Sequence, residues 1–136
     1  MRVLIGTNIL IDYFAKRPAF FENARTIIKM CREKKLEGCI AAHSVTNAFY
    51  ILRKDLSLPD LREALTLLCD VVEVVGIDKN KLLKAIGDES FADIEDRLQT
   101  ECALYHGAKY IITRNIKDFA QSSVPAILPE EFLNLM

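Results

Sequence analysis

Four short apolar runs constrain this chain most: Val3-Leu4-Ile5, Cys39-Ile40-Ala41-Ala42, Val71-Val72-Glu73-Val74-Val75 and Tyr110-Ile111-Ile112-Thr113. Each is too short for a stable helix and is bounded by polar or turn residues, which is the pattern of a buried strand. The stretches between them carry apolar residues at helical spacing, as in Phe20, Ala24, Ile27, Ile28 and Cys31. Parallel strands require long crossovers, usually helical. The alternation therefore predicts an α/β fold of three layers, with a central, mostly parallel sheet of about 4–5 strands flanked by helices. In such sheets ligands sit just beyond the carboxyl ends of the strands. The first run stops at Gly6-Thr7-Asn8, so these residues are placed where chemistry occurs.

Caps and turn residues suggest the remaining boundaries. Residues 8–14 read as a short helix, and Pro18 as the first turn of a longer one running to about Lys35 and ended by Gly38. Ser44 caps a helix carrying Val45, Ala48, Phe49 and Leu52. Pro59 and Asp60 open another with Leu61, Ala64, Leu65 and Leu68, and Asp78 caps a short helix to about Ile86. Residues 90–106 read as a helix stopped by Gly107. Ala126-Ile127-Leu128 is a candidate fifth strand, followed by a small helix over residues 129–135.

At 136 residues, with no repeats and with prolines only between periodic segments, the chain reads as one domain, 1–136. Its 51% hydrophobic and 27% charged residues match a soluble globular protein. No apolar run approaches the roughly 18–20 residues that span a bilayer. No basic and apolar leader opens the chain, so the expectation is a cytoplasmic protein with no membrane partner. Cys31, Cys39, Cys69 and Cys102 form no CxxC and lie mostly in apolar segments, which favours free thiols. A net charge of −1 disfavours broad binding of duplex DNA through phosphates, although it leaves room for a local groove with a few Arg and Lys. No glycine-rich phosphate loop follows any strand.

Four segments bring polar groups to the ends of strands or the starts of helices: Gly6-Thr7-Asn8, AAHSVTN (41–47), FADIEDRLQTECA (91–103) and YIITRNIKDF (110–119). Asp93 and Asp96 lie one helical turn apart, so both carboxylates are expected on one flank. Thr113 ends the fourth strand, with Asn115 and Asp118 in the loop beyond it. Oxygen donors from several strand ends suit a hard cation, Mg²⁺ or Mn²⁺, which needs only one or two direct carboxylates.

In this order and spacing, the opening VLI-x-TN-x-L-x-D, the helix text DIEDRLQTECA and the later IITRN-x-x-DF resemble PIN-domain proteins, including the VapC-like toxin ribonucleases. The resemblance covers nearly the whole chain. It implies an acidic pocket at the carboxyl edge of the sheet that holds Mg²⁺ or Mn²⁺ and cleaves RNA phosphodiesters, in a homodimer paired with an antitoxin. The first family acid falls at Gly6, with Thr7 and Asn8 matching beside it. The second falls at Asn47, the third at Asp96 with Asp93 as an additional acid, and the fourth at Asn115 or Asp118. Thr113 matches a hydroxyl position beside the pocket. The implied metal ligands are Asp96, Asp93 and Asp118, with Gly6 marking a vacated carboxylate. Losing the first acid is expected to weaken metal binding by about 10–100-fold or more. The expected function is therefore a metal-dependent endoribonuclease, weakened or inactive because of Gly6. The alternative is a non-catalytic module that binds RNA or protein.

The same residues have plainer readings. Gly6 at a strand-to-turn junction suits a positive φ, and Ser44-x-x-Asn47 resembles an ordinary helix start. Asp93 and Asp96 suit a solvated first turn, where acids complement the helix dipole. Asp118 fits a turn that anchors Phe119. Asp12 reads as a helix-surface residue and His43 as structural. Glu101 falls within an apolar stripe, as a partly buried, hydrogen-bonded group near the pocket rim. Thr7, Asn8, Arg114 and Lys117 are candidates for contact with RNA.

Overall fold

The structure is a computed structural model that describes residues 1–136. Five strands form one parallel sheet: β1 (Arg2–Ile5), β2 (Glu37–Ala41), β3 (Glu73–Val75), β4 (Tyr110–Ile112) and β5 (Ala126–Ile127). Their spatial order is β3-β2-β1-β4-β5, and Leu4 of β1 stands opposite both Cys39 and Ile111. The connections are α1 (Thr7–Phe14), α2 (Phe21–Arg32), α3 (Ala42–Leu52), α4 (Leu58–Val71), α5 (Lys79–Gly87) and α6 (Ile94–His106). A 3-10 turn at Ile116–Phe119 precedes β5, and α7 (Pro129–Leu135) closes the chain. This is the three-layer α/β architecture expected from the alternation of elements. No helix is long and apolar enough to cross a membrane.

Strand periodicity divides the core in two. Val3, Ile5, Ile40 and Ile112 point to one face and pack with Ile9, Leu10, Ile27, Leu52, Leu61 and Phe132. Leu4, Cys39, Ala41 and Ile111 point to the other, against Cys102 and Ala103 of α6. Successive side chains on a strand face opposite ways, so a doubly covered sheet needs apolar residues at every position. Each buried Val, Leu or Ile contributes about 1.5–3 kcal/mol before the entropy of ordering is subtracted.

Several local expectations shift in the folded chain. Pro18 lies ahead of α2, which begins at Phe21. Gly38 does not end a helix. It sits inside β2, where an added Cβ would come within 2.6 Å of Cys31 Sγ, so a side chain there would collide with α2. Ser44 is buried inside α3 and caps nothing. The helix expected from residue 90 begins at Ile94, with Asp93 as its N-cap. Asp78 does cap α5 through its carboxylate, and Gly107 ends α6 with φ 74°, a left-handed conformation that favours glycine. The four cysteines are free, three of them buried.

Candidate functional site

In an open parallel sheet, a crevice forms where the chain reverses its direction of strand addition. In the order β3-β2-β1-β4-β5 that point lies between the carboxyl ends of β1 and β4. A cleft of about 460 Å³ occupies it, lined by Gly6, Thr7 and Asn8 after β1 and by Thr113 and Asn115 after β4. Asn47, Tyr50 and Ile51 of α3 and Glu95, Asp96 and Gln99 of α6 complete its polar and apolar walls. Because α6 runs back across the sheet before β4, its first turn reaches the carboxyl edge and delivers Asp96 there.

Thr113 organises the floor. Its hydroxyl oxygen, in a residue only 2% exposed, accepts from Asn8 Nδ2 at 3.1 Å and from the Asn115 backbone N–H at 3.0 Å. The Thr7 hydroxyl donates to Ser44 Oγ at 2.7 Å, tying the start of α1 to α3. On the opposite wall, Asn47 Nδ2 donates to Glu95 Oε1 at 3.1 Å.

Gly6 has φ −67° and ψ 155°, an extended backbone that any residue adopts. The positive-φ reading is thereby corrected: no conformational need explains a glycine here. A Cβ at this position would lie 3.0 Å from the Ile112 carbonyl oxygen and 3.3 Å from Thr113 Cβ. Any larger residue therefore requires the Ile112 carbonyl or Thr113 to give way by a few tenths of an ångström. Whatever its origin, Gly6 leaves the β1 side of the cleft without a carboxylate.

On the α6 side, charge is crowded. The Asp96 carboxyl is pushed up from the ordinary 3.8 to about 7, chiefly by burial and then by the nearby charges of Asp93, Asp118 and Glu95. Asp93 itself does not line the cleft. As N-cap it accepts from the Glu95 backbone N–H at 2.8 Å, and its charge is the foremost of those acting on Asp96, one turn further along α6. Between the two candidates after β4, Asn115 lines the cleft, and Asp118, on the 3-10 turn, stands near enough for its charge to act on Asp96. Lys117 is exposed and lies off the cleft.

Three further readings change. Asp12 is completely buried and paired with Arg114, whose Nε and Nη2 donate at 2.7 and 3.1 Å. Arg114 is thus a structural partner of α1 and not a free cation for RNA. Glu101 is buried but remote from the cleft, paired with Arg97 at 2.8 Å. His43, on α3, lies beside Glu95 at the start of α6, and burial lowers its pKa. Sequence reading passed over Gln99, Tyr50 and Glu95 as cleft residues. Gln99 was reachable in principle, because it follows Asp96 by three positions and so shares its helical face.

The donor set is a partial fit to a divalent cation. Crowded acids around Asp96 make a field that a cation would relieve. Yet no group of three His, Cys, Asp or Glu side chains gathers closely enough to hold a metal ion. What remains is a pair of carboxylates on one wall, Glu95 and Asp96, with Glu95 held by Asn47, facing neutral oxygens on the other.

The chain is similar to Ribonuclease VapC1 of Aquifex aeolicus (strain VF5), at 28% identity over 96% of this chain and 92% of that protein. Among solved structures, a toxin–antitoxin complex from Klebsiella pneumoniae superposes with a TM-score of 0.70 at 21% identity, covering 93% of this chain and 97% of that one. VapBC2 from Rickettsia felis, bound to a DNA fragment from its promoter, gives 0.66 at 18% identity over 94% and 98%. These two likenesses agree on the fold. The PIN domain family model matches residues 2–117, and the chain belongs to that family.

Proposed function

We propose that this protein is a toxin-type ribonuclease whose metal-dependent cleavage of RNA is weak or absent as it stands, because Gly6 leaves its cation site one carboxylate short. One observation carries this reading: Gly6 and Asp96 line the same switch-point cleft, with crowded acids on the α6 side and none on the β1 side. The likeness to a ribonuclease over nearly the full length of both chains supports it. Asp96 would hold Mg²⁺ or Mn²⁺, with the field of Asp93 and Asp118 behind it. A cation there supplies charge neutralisation for a phosphodiester and acidifies a water. The chain's own residues do the rest. Without a cation Asp96 keeps its proton below about pH 7, and Thr113 holds the Asn8 side chain and the Asn115 backbone N–H at the cleft floor. The partners in this reading are single-stranded RNA, a second copy of the chain and a cognate antitoxin. The likeness to toxin–antitoxin complexes supports the last.

A second reading, a non-catalytic module that binds RNA or protein, is favoured by one detail: Asn47 is already bonded to Glu95. Gly6→Asp separates the two. Under the first reading the variant binds Mn²⁺ about tenfold or more tightly in calorimetry and cuts single-stranded RNA in an EDTA-sensitive manner. Restored Mn²⁺ binding with no cleavage of any RNA pool would count against the nuclease. RNA affinity indifferent to EDTA, with no cleavage by either protein, would favour the second reading.

A further inference from the structure

Glu95 lines the cleft beside Asp96 but has no role in the arrangement described so far. The two are consecutive on α6, so their side chains leave the helix about 100° apart. An exposed glutamate is ordinarily free to turn into water, and ordering it costs entropy. Here the side chain reaches towards α3, where Asn47 Nδ2 donates to its Oε1 at 3.1 Å. An amide at position 47 holds a charged carboxylate that another acid would repel. This hydrogen bond leaves the second oxygen of Glu95 unengaged within the chain. The chain supplies no cation either, since none of its Lys, Arg or His side chains pairs with Glu95 or Asp96. Arg97, the nearest in sequence, is turned away to Asp88 at 2.6 Å and Glu101 at 2.8 Å. His43 lies beside Glu95, where burial disfavours its charged form. Two carboxylates thus line one wall with their charge unmet, and a hydrated divalent cation needs only one or two.

We propose that Glu95 is the second carboxylate of the cation site, and that Asn47 is the positioning residue that aims it into the cleft. The assignment rests on the reading of this cleft as a site for Mg²⁺ or Mn²⁺. The amide on α3 then contributes through the acid it holds, and the α6 wall carries both charges that meet the ion. A tie that merely joined α3 to α6 would affect stability and leave ion affinity alone.

Mn²⁺ titrations of the full chain, by calorimetry and by electron paramagnetic resonance of the free ion, test this, with thermal melts in parallel. Each variant is made both in the parent chain and in Gly6→Asp, where tighter binding is expected. Glu95→Gln keeps the shape of the side chain but removes its charge, and is expected to weaken Mn²⁺ binding by about tenfold or more. Asn47→Leu, similar in size, removes the donor and is expected to weaken binding by about tenfold. In a chain that already carries Glu95→Gln it adds nothing further, because it acts through Glu95. Unchanged affinity in Glu95→Gln overturns the assignment and leaves a cation site on Asp96 intact. A further loss from Asn47→Leu in the Glu95→Gln chain overturns the positioning role, since the amide then acts on the ion directly. Lower melting temperatures at unchanged affinity, the mark of a structural tie, overturn both roles. If neither the parent nor Gly6→Asp binds Mn²⁺, the cation reading itself falls, and the role of Glu95 with it.

Discussion

Asp12 and Arg114, 102 positions apart, form a two-pronged pair in which a fully buried carboxylate takes hydrogen bonds of 2.7 and 3.1 Å from one guanidinium. The same guanidinium lies 4.0 Å from the centre of the Phe20 ring, and Arg17 approaches Asp12 at 3.5 Å. The pair ties α1 to the segment that follows β4. It therefore holds Asn8 and Asn115 on facing sides of the cleft.

Arg114→Ala leaves Asp12 buried with only the longer Arg17 contact. Removing one partner of a buried pair costs about 3–5 kcal/mol. Because the Arg114 side chain is 25% exposed, the expected loss is nearer about 2–3 kcal/mol after allowance for solvent screening. It is read as a lower denaturant midpoint at unchanged slope. Arg114→Lys keeps the charge but not the fork, and is expected to recover less than half of the loss. A loss below about 1 kcal/mol for the alanine variant would place the pair among ordinary surface bridges.

Stability is expected to fall as pH rises through the range set by Asp96. Its carboxyl is raised from the ordinary 3.8 to about 7. Between those values the folded chain retains a proton that the unfolded chain has lost, so deprotonation at higher pH disfavours the folded state. Below the lower value both states are protonated and the penalty vanishes. Above the upper value it is complete, on the order of 1–2 kcal/mol once solvent screening of this half-buried group is allowed for. Asp96→Asn should gain that amount at about pH 8 and nothing at about pH 4. Denaturant titrations of both proteins at each pH check this, and an equal difference at the two values would refute it.

Asp93 separates capping from charge. Its carboxylate accepts the Glu95 N–H at 2.8 Å, closing the first turn of α6. Asp93→Ala is expected to cost about 1 kcal/mol through the lost cap, while Asp93→Asn, which still caps, is expected to stay within about 0.5 kcal/mol. Both variants remove a charge near Asp96, so both should lower its titration midpoint, followed by NMR of the side-chain carboxyl. Equal stabilities for the two variants would mean that the cap contributes nothing.

Thiol reactivity should divide cleanly. Burial pushes Cys31 and Cys102 up to about 11 and Cys39 up to about 12, so their thiolates are scarce at neutral pH, and all three are enclosed. Cys69 is exposed. An aromatic disulfide reagent is expected to modify one thiol quickly in the folded chain and the rest only on unfolding. Cys69→Ser should abolish the fast phase, and a second fast thiol in that variant would contradict the burial.

The sheet and most helices were legible because their causes are local. Each apolar run contains its own reason to be a strand, and residues such as Asp78 and Gly107 cap helices with groups two or three positions away. The sequence by itself determined the order of strands and crossovers, the convergence of four polar segments, and the lack of a carboxylate at position 6. Side-chain partnership across the fold is a different matter. Asp12 carries the signature of a surface residue until β4 brings Arg114 to it, and Asp93 looks like a site acid until the helix start claims it. Only the tertiary structure decided that Gly6 is extended, that Asn115 lines the cleft, and that the Gln99 side-chain oxygen is buried without a partner. These outcomes depend on which segments meet when the sheet closes, and polar groups are sorted by the neighbours that closure gives them.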